Sequence, residues 1–383
     1  MKRALAVLIV RLFLLAACAA PAATPAQPAP ATRAPLATVQ PEFKRPQSGG
    51  VLNPPTVVPT PRNNPAGAIV RQILWQQDVS TNTLPARYDH AFAFMFEVYT
   101  MITFGGHAQS TLGDTWITEG RGWTQLSPTT KPPARFGAEA VYYGFGIGPL
   151  IFGGQSDKQF FNDVWKYWSP VNGWEKITAT GNAPAPRAGA SVGVGFNDTR
   201  DDSRYIDKLI VTHGYSDKGY FDDTFMLNLS TNTWEDISPA NRPSKRKGQA
   251  GTFDARQGKF FLFGGQDVAG KLLGDFWGLD PAKRIWTKIT PSGVQPTPRS
   301  GASLTYDHHG RLWLFGGETG NGLTNEMWMY DITSNQWSLI DSSNKPPARS
   351  RHKTACAYDS SCFVFGGMDA NGKALNDLWR FTP

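Results

Sequence analysis

The segment WTQLSPTTKPPAR at residues 123–135 returns as WSLIDSSNKPPAR at residues 337–349. The same phrase, a Trp followed twelve or thirteen residues later by an Arg reached through prolines or small residues, occurs six times. It runs from Trp75 to Arg87, Trp123 to Arg135, Trp174 to Arg187, Trp234 to Arg246, Trp286 to Arg299 and Trp337 to Arg349. A sequence that repeats itself builds one supersecondary unit over and over, and such units bury their apolar faces only against one another. The 383-residue chain is therefore read as carrying one repeat array rather than two or three unrelated domains.

A second phrase alternates with the first. Aromatic residues followed by a glycine pair end at Gly106, Gly154, Gly265, Gly317 and Gly367, and the THGY stretch with Gly214 fills the remaining place. The steps between these glycines are 48, 60, 51, 52 and 50 residues. FFLFGG, LWLFGG and CFVFGG are apolar runs of strand length that stop at glycine, and DFWGLD, EMWMYD and DLWRFT follow after polar loops. Each unit reads as four short strands, with no room for a long amphipathic helix.

The approach to Arg, the aromatic plus double glycine, the Asp before Trp (LGDTW, FNDVW, LGDFW, LNDLW) and the later Trp resemble the kelch-repeat β-propeller family over roughly residues 68–383. The resemblance implies an all-β, six-bladed kelch propeller with an axial channel. The last unit ends after Trp379 without a fourth-strand Trp, while Trp75 precedes the first unit. Pairing residues 69–79 with the last blade completes it and closes the ring, which removes open sheet edges. Eleven of the 13 tryptophans fall on third-strand or fourth-strand repeat positions and are assigned to scaffold, leaving Trp168 and Trp313. The six arginines, present in every unit, are expected to be inter-blade hydrogen-bond donors.

The chain opens MKRALAVLIVRLFLLAAC, a basic start and an apolar run too short to span a membrane. Leu15, Ala16, Ala17 and Cys18 resemble a bacterial lipobox. Residues 1–17 are read as a lipoprotein signal peptide, Cys18 as the lipidated residue, 18–65 as a tether and 66–383 as the propeller. Residues 19–65 hold twelve prolines among Ala, Thr and Gln, a composition that cannot bury enough surface to fold. The expected location is outside the cytoplasm, membrane-anchored or secreted. A formal charge of +7, reduced to +4 by removing Lys2, Arg3 and Arg11, is too mild for nucleic-acid binding.

In such a blade, the crossing into the first strand and the loop after the second strand emerge on one face. That face, the mouth of the channel, carries the candidate ligand-binding residues Asp89, His90, His107, Gln155, Tyr215, Lys247, Gln266, Glu318, Arg351 and His352. The expected ligand is an extracytoplasmic protein or glycan, bound by a monomeric propeller without cofactor or metal. Asp89, His90, His107, Arg351 and His352 contain the donors of a transition-metal set, but are read instead as repeat-position side chains. His308 and His309 are read as turn residues on the opposite face.

Enzymatic members of the wider kelch family supply the alternatives. The copper site of galactose oxidase and the ExxxDxxxH run of plant specifier proteins have no counterpart here. N-acetylneuraminate epimerase is a closer comparison, and Glu318 with Arg351 or Lys247 would be the acid/base pair of a sugar-acid mutarotase. The acidic insertion at residues 197–208 is offset by Arg200, Arg204 and Lys208 and is not read as a calcium site. The glycines at 144–150 precede a strand, which excludes a phosphate loop. Cys356 and Cys362 flank one hairpin turn and are compatible with either a disulfide or two buried thiols.

Overall fold

The computed structural model describes residues 73–79, 84–96, 98–118, 122–142, 148–168, 173–195 and 208–383. Cys18, the N-terminal 65 residues and nearly all of the 197–208 insertion lie outside the described residues, as do 143–147. The described residues form six main antiparallel sheets that follow one another along the chain, with two smaller ones of two and three strands in the loops. The first holds Ala91–Met95, Thr100–His107, Thr111–Thr118 and Trp123–Leu126. The second holds Glu139–Tyr142, Pro149–Phe152, Val164–Trp168 and Gly173–Ile177. The third holds Ser191–Gly195, Lys208–Thr212, Thr224–Asn228 and Thr233–Asp236, the last joined in parallel by Thr180–Gly181.

The fourth comprises Ala250–Asp254, Lys259–Gln266, Leu272–Asp280 and Ile285–Ile289. The fifth comprises Ser303–Tyr306, Arg311–Phe315, Met327–Asp331 and Gln336–Ile340. The sixth is built from Lys353–Cys356, Cys362–Phe365 and Leu378–Thr382. Its fourth strand comes from the other end of the described chain: Leu74–Asp78 runs antiparallel to Leu378–Thr382, with Trp75 opposite Phe381 and Asp78 opposite Leu378.

The first strand of each sheet packs against the first strand of the next, and Ala91–Met95 packs in turn against Lys353–Cys356. This all-β arrangement is propeller-like. It explains why second strands read as unbroken apolar runs. Between its two end residues, Lys259–Gln266 is buried at every position because neighbouring sheets cover both its faces, whereas Thr233–Asp236, on the outside, buries Trp234 alone.

The repeat arginines are among the most deeply buried charges of the described residues, five at 0% exposure and Arg299 at 1%. Each Nε–H donates to the carbonyl two residues upstream, for example Arg135 to Pro133 at 3.1 Å. Each Nη1–H donates to the carbonyl that precedes the last glycine of its own sheet, for example Arg135 to Gly153 at 2.9 Å. The guanidinium then pairs with a carboxylate of that same sheet: Asp114, Asp163, Asp223, Asp275, Glu326 and Asp377, at 2.5 to 2.9 Å.

The expectation of inter-blade donors is therefore met by the main chain, as where the Arg135 amide donates to Leu112 of the first sheet at 3.0 Å, and is corrected for the side chain. A planar fork with fixed donors is satisfied by one sheet, and it is the arginine backbone that crosses to the neighbour. The Arg135 carbonyl accepts from Gly106 at 2.9 Å, and the Arg87 carbonyl accepts from Gly367, in the sixth sheet, also at 2.9 Å. That crossing explains the glycine pair: a Cβ on Gly105 would collide with the Arg135 oxygen, and Gly105 and Gly106 both have positive φ.

Burial alone would raise the carboxyls of Asp114, Asp163, Asp275, Glu326 and Asp377, but the arginine and a Trp indole hold them below their ordinary range. The indole comes from the third strand, two residues on, as in Trp379 Nε1–H to Asp377 at 2.6 Å. Trp313, which no repeat position explained, is 1% exposed and donates to Asp307 at 3.1 Å. Cys356 and Cys362 stand directly opposite one another across the first hairpin of the sixth sheet and are disulfide-bonded.

Candidate functional site

Just past each repeat arginine, the chain turns into the first strand of its sheet. The residue immediately after the arginine pairs with the residue after the glycines in all six sheets: Tyr88 with His107, Phe136 with Gln155, Ala188 with Tyr215, Lys247 with Gln266, Ser300 with Glu318 and Ser350 with Met368. One end of the molecule is thus a rim built from twelve equivalent positions.

The next residue, two past the arginine, has positive φ in every sheet: Asp89 at 51°, Gly137 at 65°, Gly189 at 58°, Gly248 at 63°, Gly301 at 67° and Arg351 at 58°. All but one of these amides donate to the same position of the preceding sheet. Gly137 bonds to Asp89 at 2.7 Å, Gly189 to Gly137 at 2.8 Å, Gly301 to Gly248 at 2.7 Å, Arg351 to Gly301 at 2.8 Å and Asp89 to Arg351 at 3.1 Å. Between the third and fourth sheets a side chain spans the belt, with Gln249 Nε2–H donating to the Gly189 carbonyl at 2.9 Å.

Four of six sheets place glycine at this left-handed position, where side chains are costly. The two that do not are neighbours through the Asp89–Arg351 contact, and their side chains form an ion pair at 3.5 Å. The Arg351 guanidinium lies 5.5 Å from the Tyr88 ring centre.

Below the rim lie two cavities of about 210 Å³ each. They meet at Glu139, Gln249, Ala302, His352 and Lys353. Glu139, from the second sheet, and Lys353, from the sixth, are joined here by a charge-assisted hydrogen bond across the first sheet's position. Burial pushes the Glu139 carboxyl up, Lys353 opposes that, and Asp89 adds to it. The lower cavity has an aromatic end, where the Phe96 ring packs on Tyr142 at 4.7 Å and Tyr358 at 4.1 Å. His308 belongs to that cluster, and burial holds it down at about 4.

The sequence-derived residues divide into three groups. Asp89, Tyr215, Lys247, Gln266, Glu318 and Arg351 line the upper cavity. Tyr215 accepts from Gln155 Nε2 at 2.8 Å, and burial together with Asp89 pushes its phenol up to about 12. Lys247 sits 5.7 Å from the Tyr215 ring centre and 5.3 Å from that of Tyr220. Glu318 is exposed. Gln155 and His107 stand on the rim outside this cavity, His107 bonded to the Tyr88 hydroxyl at 3.0 Å.

His90 and His352 are corrections to the set of mouth residues. They are 0% and 2% exposed and pack into the seams between sheets, His90 against Phe365 and His352 against Phe315. His352 only edges the cavity, and its Nε2 is held by Ser303 Oγ at 2.9 Å. The five residues that could have formed a metal set are thereby separated: two imidazoles lie in different seams, the third binds Tyr88, and Asp89 and Arg351 bind each other.

Glu139 and Lys353 were missed. Both lie four residues past a repeat arginine, where the other sheets carry Ala91, Ser191, Ala250 and Ser303. Aligning the six phrases one register beyond the crossing would have exposed them.

A family model described as the KLHDC2/KLHL20/DRC7 Kelch-repeats domain matches residues 69–241 and 203–383. The chain is similar to the leucine-zipper-like transcriptional regulator 1 homolog of Drosophila melanogaster, 26% identical over 304 residues, which is 73% of this chain and 29% of that protein. It is also similar to tip elongation aberrant protein 1 of Schizosaccharomyces pombe, 28% identical over 44% of this chain and 15% of that protein. Host cell factor 1 of Rattus norvegicus is 25% identical over 84% of this chain and 17% of its own length. The aligned region spans less than a third of each relative. With its six sheets, arginine girdle and matching repeats, the chain belongs to the kelch-repeat family.

Proposed function

We propose that the six sheets are the blades of a closed six-bladed propeller that binds a protein or glycan partner at its channel mouth. Kelch-repeat domains are in general protein-interaction modules, which favours a protein. The single observation that carries the reading is the substitution of Asp89 and Arg351 for glycine at the left-handed belt position. Backbone strain of order 1–3 kcal/mol is retained where a side chain is needed for something other than stability. Lys247, Gln266, Tyr215 and Glu318 complete a surface that differs in every sheet, as a single partner requires and a symmetric scaffold does not. The mouth carries both signs of charge, Asp89 and Glu318 against Lys247 and Arg351, which suits a partner of mixed polarity.

The N-terminal composition supports a matching cellular role. Residues 1–17 serve as an export signal, Cys18 as the lipid attachment point and 18–65 as a spacer that holds the monomeric propeller outside the membrane.

The test places a photocrosslinking amino acid at Glu318 and at Gln266 in the full-length chain, with Tyr99 at the far end as control, in cells of the native host. The reading expects one discrete adduct from the two mouth positions, none from Tyr99, and loss of the adduct in D89G/R351G. Adducts of equal yield from both ends, or adducts indifferent to D89G/R351G, would refute it. A glycan array and a sugar-acid mutarotation assay on the same preparations separate a glycan ligand or a turned-over substrate from a protein partner.

A further inference from the structure

The residue three past each repeat arginine lies where the crossing turns into the first strand of its sheet. It is Ala138, Ala190, Gln249 and Ala302 in four sheets, and an imidazole in the other two. His352 belongs to the sixth sheet and packs on the fifth, where a Cβ on Gly316 would lie 2.8 Å from its Cε1. His90 belongs to the first sheet and packs on the sixth, with Phe365 at 4.9 Å between ring centres and a Cβ on Gly366 only 3.0 Å from its Cε1. The two imidazoles therefore occupy both seams of one sheet, the only one among the described residues assembled from opposite ends of the chain.

Neither seam is prepared for a charged ring. Both nitrogens of His90 and Nδ1 of His352 are buried without a hydrogen-bond partner. The charged or titratable groups facing His90 are Arg87 of its own crossing and Lys353 and His352 of the sixth sheet. Those facing His352 are Arg349 of its own crossing and Lys353. The rest of the lining is Phe92, Phe365 and Gly366 around His90, and Phe315, Gly316 and the Ser303 hydroxyl around His352, itself bonded to Thr354. A proton on His90 would meet cations and aromatic edges, and on His352 the Ser303 hydroxyl and the Phe315 backbone offset the neighbouring cations only in part.

We propose that the sixth sheet, with its N-terminal strand, is an acid-released latch: protonation of His90 and His352 opens both of its seams while the second sheet stays closed. Burial, then the neighbouring cations, holds both imidazoles below their ordinary value. An exposed His titrates near 6.5, so the open state takes up the protons. Closure is fully favoured above about pH 6.5 and is lost as pH falls below it, by about tenfold per unit for each imidazole and about 100-fold for the two. Because Asp89 and Arg351 each precede one of these histidines, the opening also takes apart the belt at the mouth.

The experiment is amide hydrogen exchange of the full-length chain between pH 7.5 and 5.0, corrected for the intrinsic pH dependence of exchange. Peptides covering 87–89 and 349–351, whose amides bond across the two seams, are expected to lose protection by up to about 100-fold per unit below pH 6.5, while peptides covering 187–189, whose amides bond across the seam between the second and third sheets, hold theirs. H90A/H352A, which installs the residue that three other sheets use, should flatten the slope whatever it does to the level. H90Q/H352Q, which follows the Gln249 of the fourth sheet, provides the same reading should the alanine variant fold poorly. Glu139, the neighbouring carboxyl pushed up by burial, is controlled by E139Q, which should keep the slope. The proposal fails if protection falls equally across the seam between the second and third sheets, if the slope survives in both double variants, or if E139Q alone removes it.

Discussion

The arginine girdle and the channel mouth are built from the same short segment, yet they are opposite kinds of region. At the arginine itself all six sheets agree: the side chain is buried, every arm of the fork has an acceptor, and a carboxylate of the same sheet balances the charge. Two and four residues later the sheets disagree, with glycine replaced by Asp89 and Arg351, and small residues by Glu139 and Lys353. The mouth tolerates left-handed φ at charged residues, with a charge pair where the two cavities meet. What repeats holds the molecule together, and what differs on the rim is the surface proposed for a partner.

The largest expected effect comes from breaking the girdle. Arg135→Leu leaves Asp163 and the Gly153 carbonyl without their donor, and should cost about 3–5 kcal/mol in urea unfolding, as loss of one partner of a buried pair does. Asp163→Asn should fall in the same range, since it strands the guanidinium. A result below about 1 kcal/mol for both would erase the contrast with the mouth.

Next is the waist. Lys353→Met leaves Glu139 facing Asp89 without a counter-charge, and should cost roughly 2 kcal/mol at pH 7.5, less than the girdle because both groups keep some solvent. The Glu139 carboxyl is already raised, so the unfolded chain releases that proton more readily. The penalty should therefore be full above the raised value and shrink as pH falls through it. A penalty that grows on acidification would contradict the assignment.

Smaller still is the belt. Gly137→Ala puts a Cβ at positive φ, 3.0 Å from that of Ala188, and should cost about 1–2 kcal/mol. Arg351→Gly makes the reverse change, relieving strain while losing a partly exposed ion pair, so stability should stay within about 1 kcal/mol. The two substitutions at one backbone position should thus differ in sign or nearly so.

The scaffold was legible because it repeats: six Trp and Arg positions, the glycine pairs and the orphaned strand at Trp75 announce themselves by register. The direction of the arginine forks was not, since spacing alone does not tell an intra-sheet carboxylate from one next door. The mouth was half legible. Asp89, Lys247, Glu318 and Arg351 follow from the rim's position in the chain, but Glu139 and Lys353 lie one register deeper, inside the strands, and meet only because the first strands converge. His90 and His352 look like rim residues in sequence, and only the packing of Gly366 and Gly316 against their rings places them in the seams. The disulfide depended on two cysteines falling directly opposite one another, which six-residue spacing leaves open.

The division between girdle and mouth is tested most directly by giving the mouth the residues of the third sheet, Gly189 and Ser191, in a single variant: D89G/E139S/R351G/K353S. Urea unfolding monitored by tryptophan fluorescence should remain one cooperative transition, within about 2 kcal/mol of the parent, while the mouth crosslink disappears. Loss of the cooperative transition, or a penalty as large as that of Arg135→Leu, would mean that the charges at the mouth hold the sheets together and are not there for a partner.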